Sequence, residues 1–211
     1  MRAKKASTEI RQEQFARAAM ELLALRGWQR ISLAAIAREV GVVTSAVYRH
    51  FKSKDQVLDA VLDLVEQRFQ ANVGDSSNDP LARLHDVLMR HVELITSGVP
   101  VPRIILSEAV FAGHPRHRKR VQKIYQNYLA AIALLFRDGQ EQGLIQRKPS
   151  PETLSIMWLG LVQSPAILWL LGHGNFDLTQ HCERVWQLFA AAIRAGNPNV
   201  PRQKSFSKTD K

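Results

Sequence analysis

Apolar residues recur every three or four positions along almost the whole of this 211-residue chain, and no stretch alternates with a period of two. A strand exposes alternate side chains to opposite faces, whereas a helix brings residues three and four apart onto one face, so the pattern restricts the chain to an all-α fold. Phe15, Ala18, Ala19, Leu22 and Leu23 trace one face of a first helix that Gly27 ends. Two short helices follow, and Val57, Leu58, Val61, Leu62, Val65 and Phe69 then mark a longer fourth helix, broken by the polar stretch 74–78. Asp79 and Pro80 read as N-cap and first residue of a fifth helix carrying Leu81, Leu84, Leu88 and Ile95. A short sixth helix is expected around Arg103 to Phe111 and a long seventh from Val121 to Phe136, ending at Gly143. Ser150 and Pro151 start an eighth, running to about Leu171, and a ninth runs from Asp177 to Ala195. The Pro-, Ser- and Lys-rich tail is expected to be disordered.

The second and third helices carry the chemistry. Ser32 is placed to cap a helix from Leu33 to Val40, and Gly41 follows where the chain must turn sharply. Ile36, Ala37 and Val40 face inward, and the small Ala37 lets two helices joined by a short turn cross closely. In the next helix Val42, Val47 and Phe51 form the apolar side, leaving Thr44, Ser45, Tyr48, Arg49 and His50 on the other. Such a polar, cationic and aromatic face suits phosphates and base edges. Tyr48 and Phe51 could also be core aromatics of any helical bundle, and Arg49 a solvated charge.

Charge gives an independent indication of an anionic partner. Lys and Arg number 29 against 19 Asp and Glu, a net +10. Residues 1–56 hold eleven of those cations against five carboxylates, so six of the ten net charges lie in about a quarter of the chain. Lys4 and Lys5 read equally as a flexible arm on DNA and as surface lysines.

The run from Ser32 through Ala37, Gly41-Val42 and Val47-Tyr48-Arg49-His50-Phe51 to Lys54 closely resembles the TetR family of bacterial transcriptional regulators. The resemblance is strong over Ile10 to about Leu64; beyond that it lies in the helical layout. It implies a DNA-binding domain over 1–54, a ligand-binding and dimerisation domain over 55–196 and a tail over 197–211. It further implies a homodimer through the last two helices, bound to an inverted-repeat operator on double-stranded DNA and released by a small, largely apolar effector. Tyr48, His50 and Lys54 are then expected on phosphates, and Thr44, Ser45 and Arg49 on bases. Two positions depart from the family pattern: Val43 stands where many members have a capping Ser, leaving capping to Thr44 or to none, and Thr44 stands where many have Lys.

In the second half, Met89, His91, Phe111, Tyr125, Tyr128, Met157, Trp158 and Gln163 are the candidate ligand contacts, in a cavity bounded by helices five to eight. Each serves equally as core, and Gln163, on the Ile156, Gly160, Ile167 stripe, could pair with its symmetry mate. His114 and His117 have metal-like spacing, but Arg116, Arg118, Lys119 and Arg120 would repel a cation, so no metal is expected. That basic run opposes the positive end of its own helix, and solvent or an anion is expected to compensate it.

Enzymatic signatures are missing. The sequence has no Gly-rich phosphate loop, nucleophile elbow, HExxH or CxxC, and carboxylates such as Glu108 stand singly, so neither catalysis nor a cofactor is expected. The lone Cys182 and the lack of an apolar run in Met1 to Ser7 point to the cytoplasm. Leu154 to Leu171 is apolar enough to suggest a membrane span, yet Ser155, Gln163, Ser164 and Pro165 interrupt it, and a buried helix is expected instead. The competing class is a helical adaptor using its basic face on RNA or lipid, which would show no preference for an inverted repeat.

Overall fold

The computed structural model describes residues 2–74, 77–98 and 101–195. The expected tail at 197–211 lies outside the described residues, as do the side chains of Lys4 and Lys5. Ten α-helices are present among the described residues, with no β-strand: α1 (Arg2–Arg26), α2 (Leu33–Val40), α3 (Thr44–Tyr48), α4 (Lys54–Asn72), α5 (Pro80–Thr96), α6 (Val101–Ile105), α7 (Glu108–Phe111), α8 (Pro115–Glu141), α9 (Pro151–Leu171) and α10 (Leu178–Ile193). The one short helix expected near 103–111 is two, because Ser107 adopts an extended conformation and caps α7 as a new start.

Helices α1 to α3 form a small head around Phe15, Ile36, Ala37, Val47 and Phe51, all buried. Beneath it α4 packs against α1 on one side and against α8 on another, so one helix is shared by the head and the body. The body is built from α5, α8, α9 and α10, with Trp158, Leu84, Leu88, Ile132 and Phe136 fully enclosed. After α8 the chain pairs with the end of α10: the amide of Gln146 donates to the Ile193 carbonyl at 2.8 Å and that of Ala195 to Leu144 at 3.0 Å.

Helix α9 is long and apolar enough to cross a membrane. The expectation that it is buried needs correction, since only one side is covered. Leu154, Trp158, Val162, Pro165 and Ala166 face the body, while Ile156, Met157, Ile167, Leu168 and Leu171 are exposed. Pro165 lies inside the helix and, having no N–H, cannot serve the Leu161 carbonyl one turn back. The thiol of Cys182 on α10 is directed at that oxygen, 3.7 Å away, and burial pushes its pKa up to about 11, keeping the donor proton in place.

Candidate functional site

In the head, Ser32 caps α2, its hydroxyl accepting from the Ala35 amide at 3.0 Å. Gly41 ends α2 at φ 73°, ψ 34°, a left-handed conformation that a side chain would disfavour. This bend lets the Val42 amide donate back to the Ala37 carbonyl at 2.9 Å and sends the chain directly into α3. Val43 is the N-cap of α3 and supplies no side-chain cap, so of the two capping possibilities the helix takes none. Val47 is completely buried, which anchors α3 by one side. On the other, Ser45 and Arg49 are exposed and Tyr48 is 51% exposed, which removes the core reading of Tyr48, whereas Phe51, 4% exposed, is core.

Thr44 and His50 are half-buried. The His50 ring lies 5.4 Å from that of Phe15, packed on α1 beside the polar face. Lys54 sits at the first position of α4 with its ammonium 4.6 Å from the centre of the Trp28 ring, and burial there lowers its pKa. One cation escaped the sequence reading. Exposed Lys52 follows α3, its ammonium donating to the Tyr48 carbonyl at 3.0 Å and its backbone amide to Gln56 Oε1 at 2.7 Å. The Ser53-x-x-Gln56 spacing, in which Ser53 accepts from the Gln56 amide at 3.3 Å, was the available signal for that turn.

In the body, the structure brings together His91, Tyr125, Tyr128 and Trp158 around Phe69 of α4, which the sequence marked only as part of that helix's apolar face. The Phe69 and Tyr128 rings stack at 4.7 Å, Phe69 and Tyr125 lie 5.8 Å apart, and His91 and Trp158 are 6.4 Å apart. A polar chain runs through the cluster. The Asn72 amide donates to the Tyr128 hydroxyl at 2.7 Å and to the Val87 carbonyl at 3.3 Å, and that hydroxyl is 3.1 Å from His91 Nδ1. Burial lowers the His91 pKa to about 4, so the ring is neutral, and burial raises the pKa of the tyrosine beside it. Trp158 donates to the Leu84 carbonyl at 3.1 Å, and Gln163 turns inward to donate to Tyr125 at 3.0 Å.

Three other candidates stand outside this cluster: Phe111, at the end of α7, is 58% exposed, Met157 is 53% exposed, and Met89 is half-buried. The space among α5, α8 and α9 is filled by Trp158 and the leucines of α5. A cavity of about 190 Å³ lies instead between α4 and α8, lined by Phe69, Val73, Ile124, Asn127 and Tyr128. Phe69 was legible only as part of the apolar face of its helix, and Asn72 not at all, because a helix-spaced aromatic and a single Asn near a helix end carry no functional signal of their own.

Two cations of the basic start of α8 are compensated by α4 rather than by solvent or a bound anion, while Arg118 and Lys119 are exposed to solvent. Arg116 reaches Asp59 at 3.0 Å, and Arg120 pairs with both Asp63 and Glu66. His117, 1% exposed, lies 3.2 Å from Asp59 through Nε2, while its other ring nitrogen is buried without a partner. Burial raises the Asp63 pKa, Arg120 opposing that shift and Asp59 and Glu66 adding to it. The helix that carries the head is thus tied to the body by an ionic seam at one end and by the aromatic cluster at the other.

A helix-turn-helix whose second helix is anchored by Val47 and leaves its polar side open defines a DNA-binding transcriptional regulator. Residues 16–61 match the bacterial regulatory proteins of the tetR family, and residues 77–193 match the tetracyclin repressor-like C-terminal domain. The chain belongs to the TetR family. It is similar to the nucleoid occlusion factor SlmA of Vibrio vulnificus (strain YJ016), 25% identical over 191 residues covering 87% of this chain and 96% of that protein. Similar folds include a putative transcriptional regulator from Saccharomonospora viridis in complex with choline (TM-score 0.74, 23% identity, 88% of this chain and 98% of that one). FadR from Bacillus subtilis in complex with stearoyl-CoA is another (TM-score 0.72, 19% identity, 85% and 98%). At these identities the structures speak for the fold.

Proposed function

We propose that the chain is a cytoplasmic homodimeric repressor that holds an inverted-repeat operator through α3 and leaves it when a small molecule enters the body. The observation that carries the DNA half is the outward side of α3, with Ser45, Tyr48 and Arg49 open above a buried Val47. Ser45, Arg49 and the half-buried Thr44 reach bases, while Tyr48, Lys54 and Lys52 hold phosphates. Ser32 and His50 set the height of the head against the backbone. The exposed apolar sides of α9 and α10, with Ile156, Ile167, Leu168, Leu171 and Leu188, form the surface that a second copy covers.

Ligand release finds support in the cavity between α4 and α8 and in the polar chain Asn72–Tyr128–His91 beside it. A molecule entering there displaces α4, and α4 carries the head, so the separation of the two reading helices changes. Two of the similar folds hold choline and stearoyl-CoA, chemically unlike occupants. The likeness to the nucleoid occlusion factor SlmA favours a second reading, a DNA-bound factor that no small effector releases. Selection of sites from random duplex DNA, followed by titration of the bound complex with a metabolite panel, separates them. Recovery of an inverted repeat and release by one class of compound supports repression by a ligand-released dimer. An inverted repeat with no release supports the second reading, and selection of no symmetric site removes both.

A further inference from the structure

We infer that the groove between α4 and α5 is a binding site for a small organic anion, a carboxylate or phosphate ester with an apolar group, held by Arg68 and Arg90. This deepens the reading that the body takes a ligand and rests on it, at a location separate from the α4–α8 cavity. The groove measures about 310 Å³ and is lined by Arg68, Ala71, Asn72, Arg90, Leu94 and Ser97 together with one acid, Glu93, against two arginines.

Arg68 carries the argument. Its guanidinium is half-buried, and the hydrogen bond it makes is to the thioether of Met20, 3.4 Å away on α1, which is a weak acceptor. Among the described residues it has no carboxylate partner. Burial first, and the neighbouring Arg17 second, push its pKa below the ordinary value, so the site penalises this charge as it stands. Cations facing the other side of α4 are treated differently, since Arg116 and Arg120 both end on carboxylates. Arg90 spends Nε on the Asn72 carbonyl at 2.9 Å and one Nη2 proton on Gly74 at 3.2 Å. A guanidinium has five N–H donors, so three remain.

Two forked cations beside one groove match the planar oxygens of a carboxylate or phosphate, and Ala71 and Leu94 supply an apolar wall for what that head group carries. DNA is not the anion, because Arg68 lies fourteen residues beyond Lys54, about 20 Å along α4 from the reading head. Bound there, the ligand would touch a side chain that joins α4 to Met20 of α1.

The test uses the full chain without DNA. The Nε–H resonance of Arg68 is followed by NMR while sodium hexanoate or sodium hexyl phosphate is added at constant ionic strength, with chloride as control and Arg137, an exposed pair with Glu152, as internal reference. A saturable shift of Arg68 with one of the two salts is expected, and which salt acts identifies the head group. Arg68→Gln should weaken that binding at least about tenfold, read by calorimetry on protein whose melting is unchanged. Shifts no larger than with chloride, or full affinity in Arg68→Gln, would overturn the site. Operator release is scored separately, so a groove that fills without releasing DNA would leave this site standing and leave release to the α4–α8 cavity, which the metabolite titration tests.

Discussion

Arg17 on α1 pairs with Glu13, but the cation of the reading helix and those on the seam between α4 and α8 meet opposite fates. Arg49 on the head is exposed with no carboxylate near it among the described residues, whereas Arg116 and Arg120 on the seam each reach an acid of α4. A protein that leaves exposed cations unpaired on one small domain keeps them for an outside anion, and one that pairs them between two helices uses them to fix a relative position. The head therefore works through electrostatics directed outward, and the body through contacts that stay inside.

If that contrast is right, salt should act on the head and hardly on the body. Each phosphate neutralised releases counterion, and a dimer contacting six or more phosphates should lose about a thousandfold in operator affinity between 50 and 200 mM salt. Fluorescence anisotropy on the selected operator measures this, while urea unfolding over the same range should change little. A flat salt response would break the comparison at its first term.

Within the head the next effect separates base from backbone. Arg49→Ala should cost on the order of 1 to 3 kcal/mol on the selected operator and much less on random DNA, and Lys52→Ala should weaken both about equally. Equal losses for Arg49→Ala on both duplexes would remove it from base reading.

The body is probed by protons. His91 is neutral in the fold with its pKa lowered to about 4, against about 6.5 in an unfolded chain. The unfolded state therefore binds the proton first, and stability is lost as pH falls below 6.5, levelling off near 4. Between pH 7.5 and 5 this one group should remove about 2 kcal/mol, measured as the difference in urea unfolding between the native chain and His91→Asn. Parallel profiles for the two proteins would show that the histidine is not held as the Tyr128 geometry requires.

The same division explains what the sequence disclosed. The head was legible almost residue by residue, because a capping Ser32, a turning Gly41 and a buried Val47 are local requirements whose spacing is fixed by helix geometry. What was missed there depends mostly on neighbours distant in the chain, such as His50 against Phe15 and Lys54 over Trp28, with Lys52 and its local turn the exception. In the body the helices were legible and their contacts were not. Periodicity placed His91, Tyr125, Tyr128 and Trp158 on inward faces, but it could not tell that Phe111 and Met157 point outward, or that α4 supplies Phe69 and Asn72. Which face of α9 is covered depends on what packs against it, and periodicity does not name the neighbour. The acids at 59, 63 and 66 were readable as a helical stripe, yet nothing in the chain order joins them to 116 and 120.

The seam gives the smallest effect and the finest test. Arg120 is 43% exposed and Asp63 57% exposed, so solvent screens the pair, and Glu66, at 19%, is the better shielded partner. A double-mutant cycle of Arg120→Gln with Glu66→Gln should give a coupling of at most about 1 kcal/mol in stability, smaller again at high salt. The informative quantity is operator affinity in the same four proteins. If the seam only stabilises the body, affinity is unchanged when each protein is fully folded. If it fixes the angle at which α4 presents the head, each single variant loosens operator binding and the double variant adds little further, because either change alone already frees α4 from α8. Additive losses would mean that Arg120 and Glu66 act on the operator independently, and the division between outward and inward charge would then fail at the helix that joins the two halves.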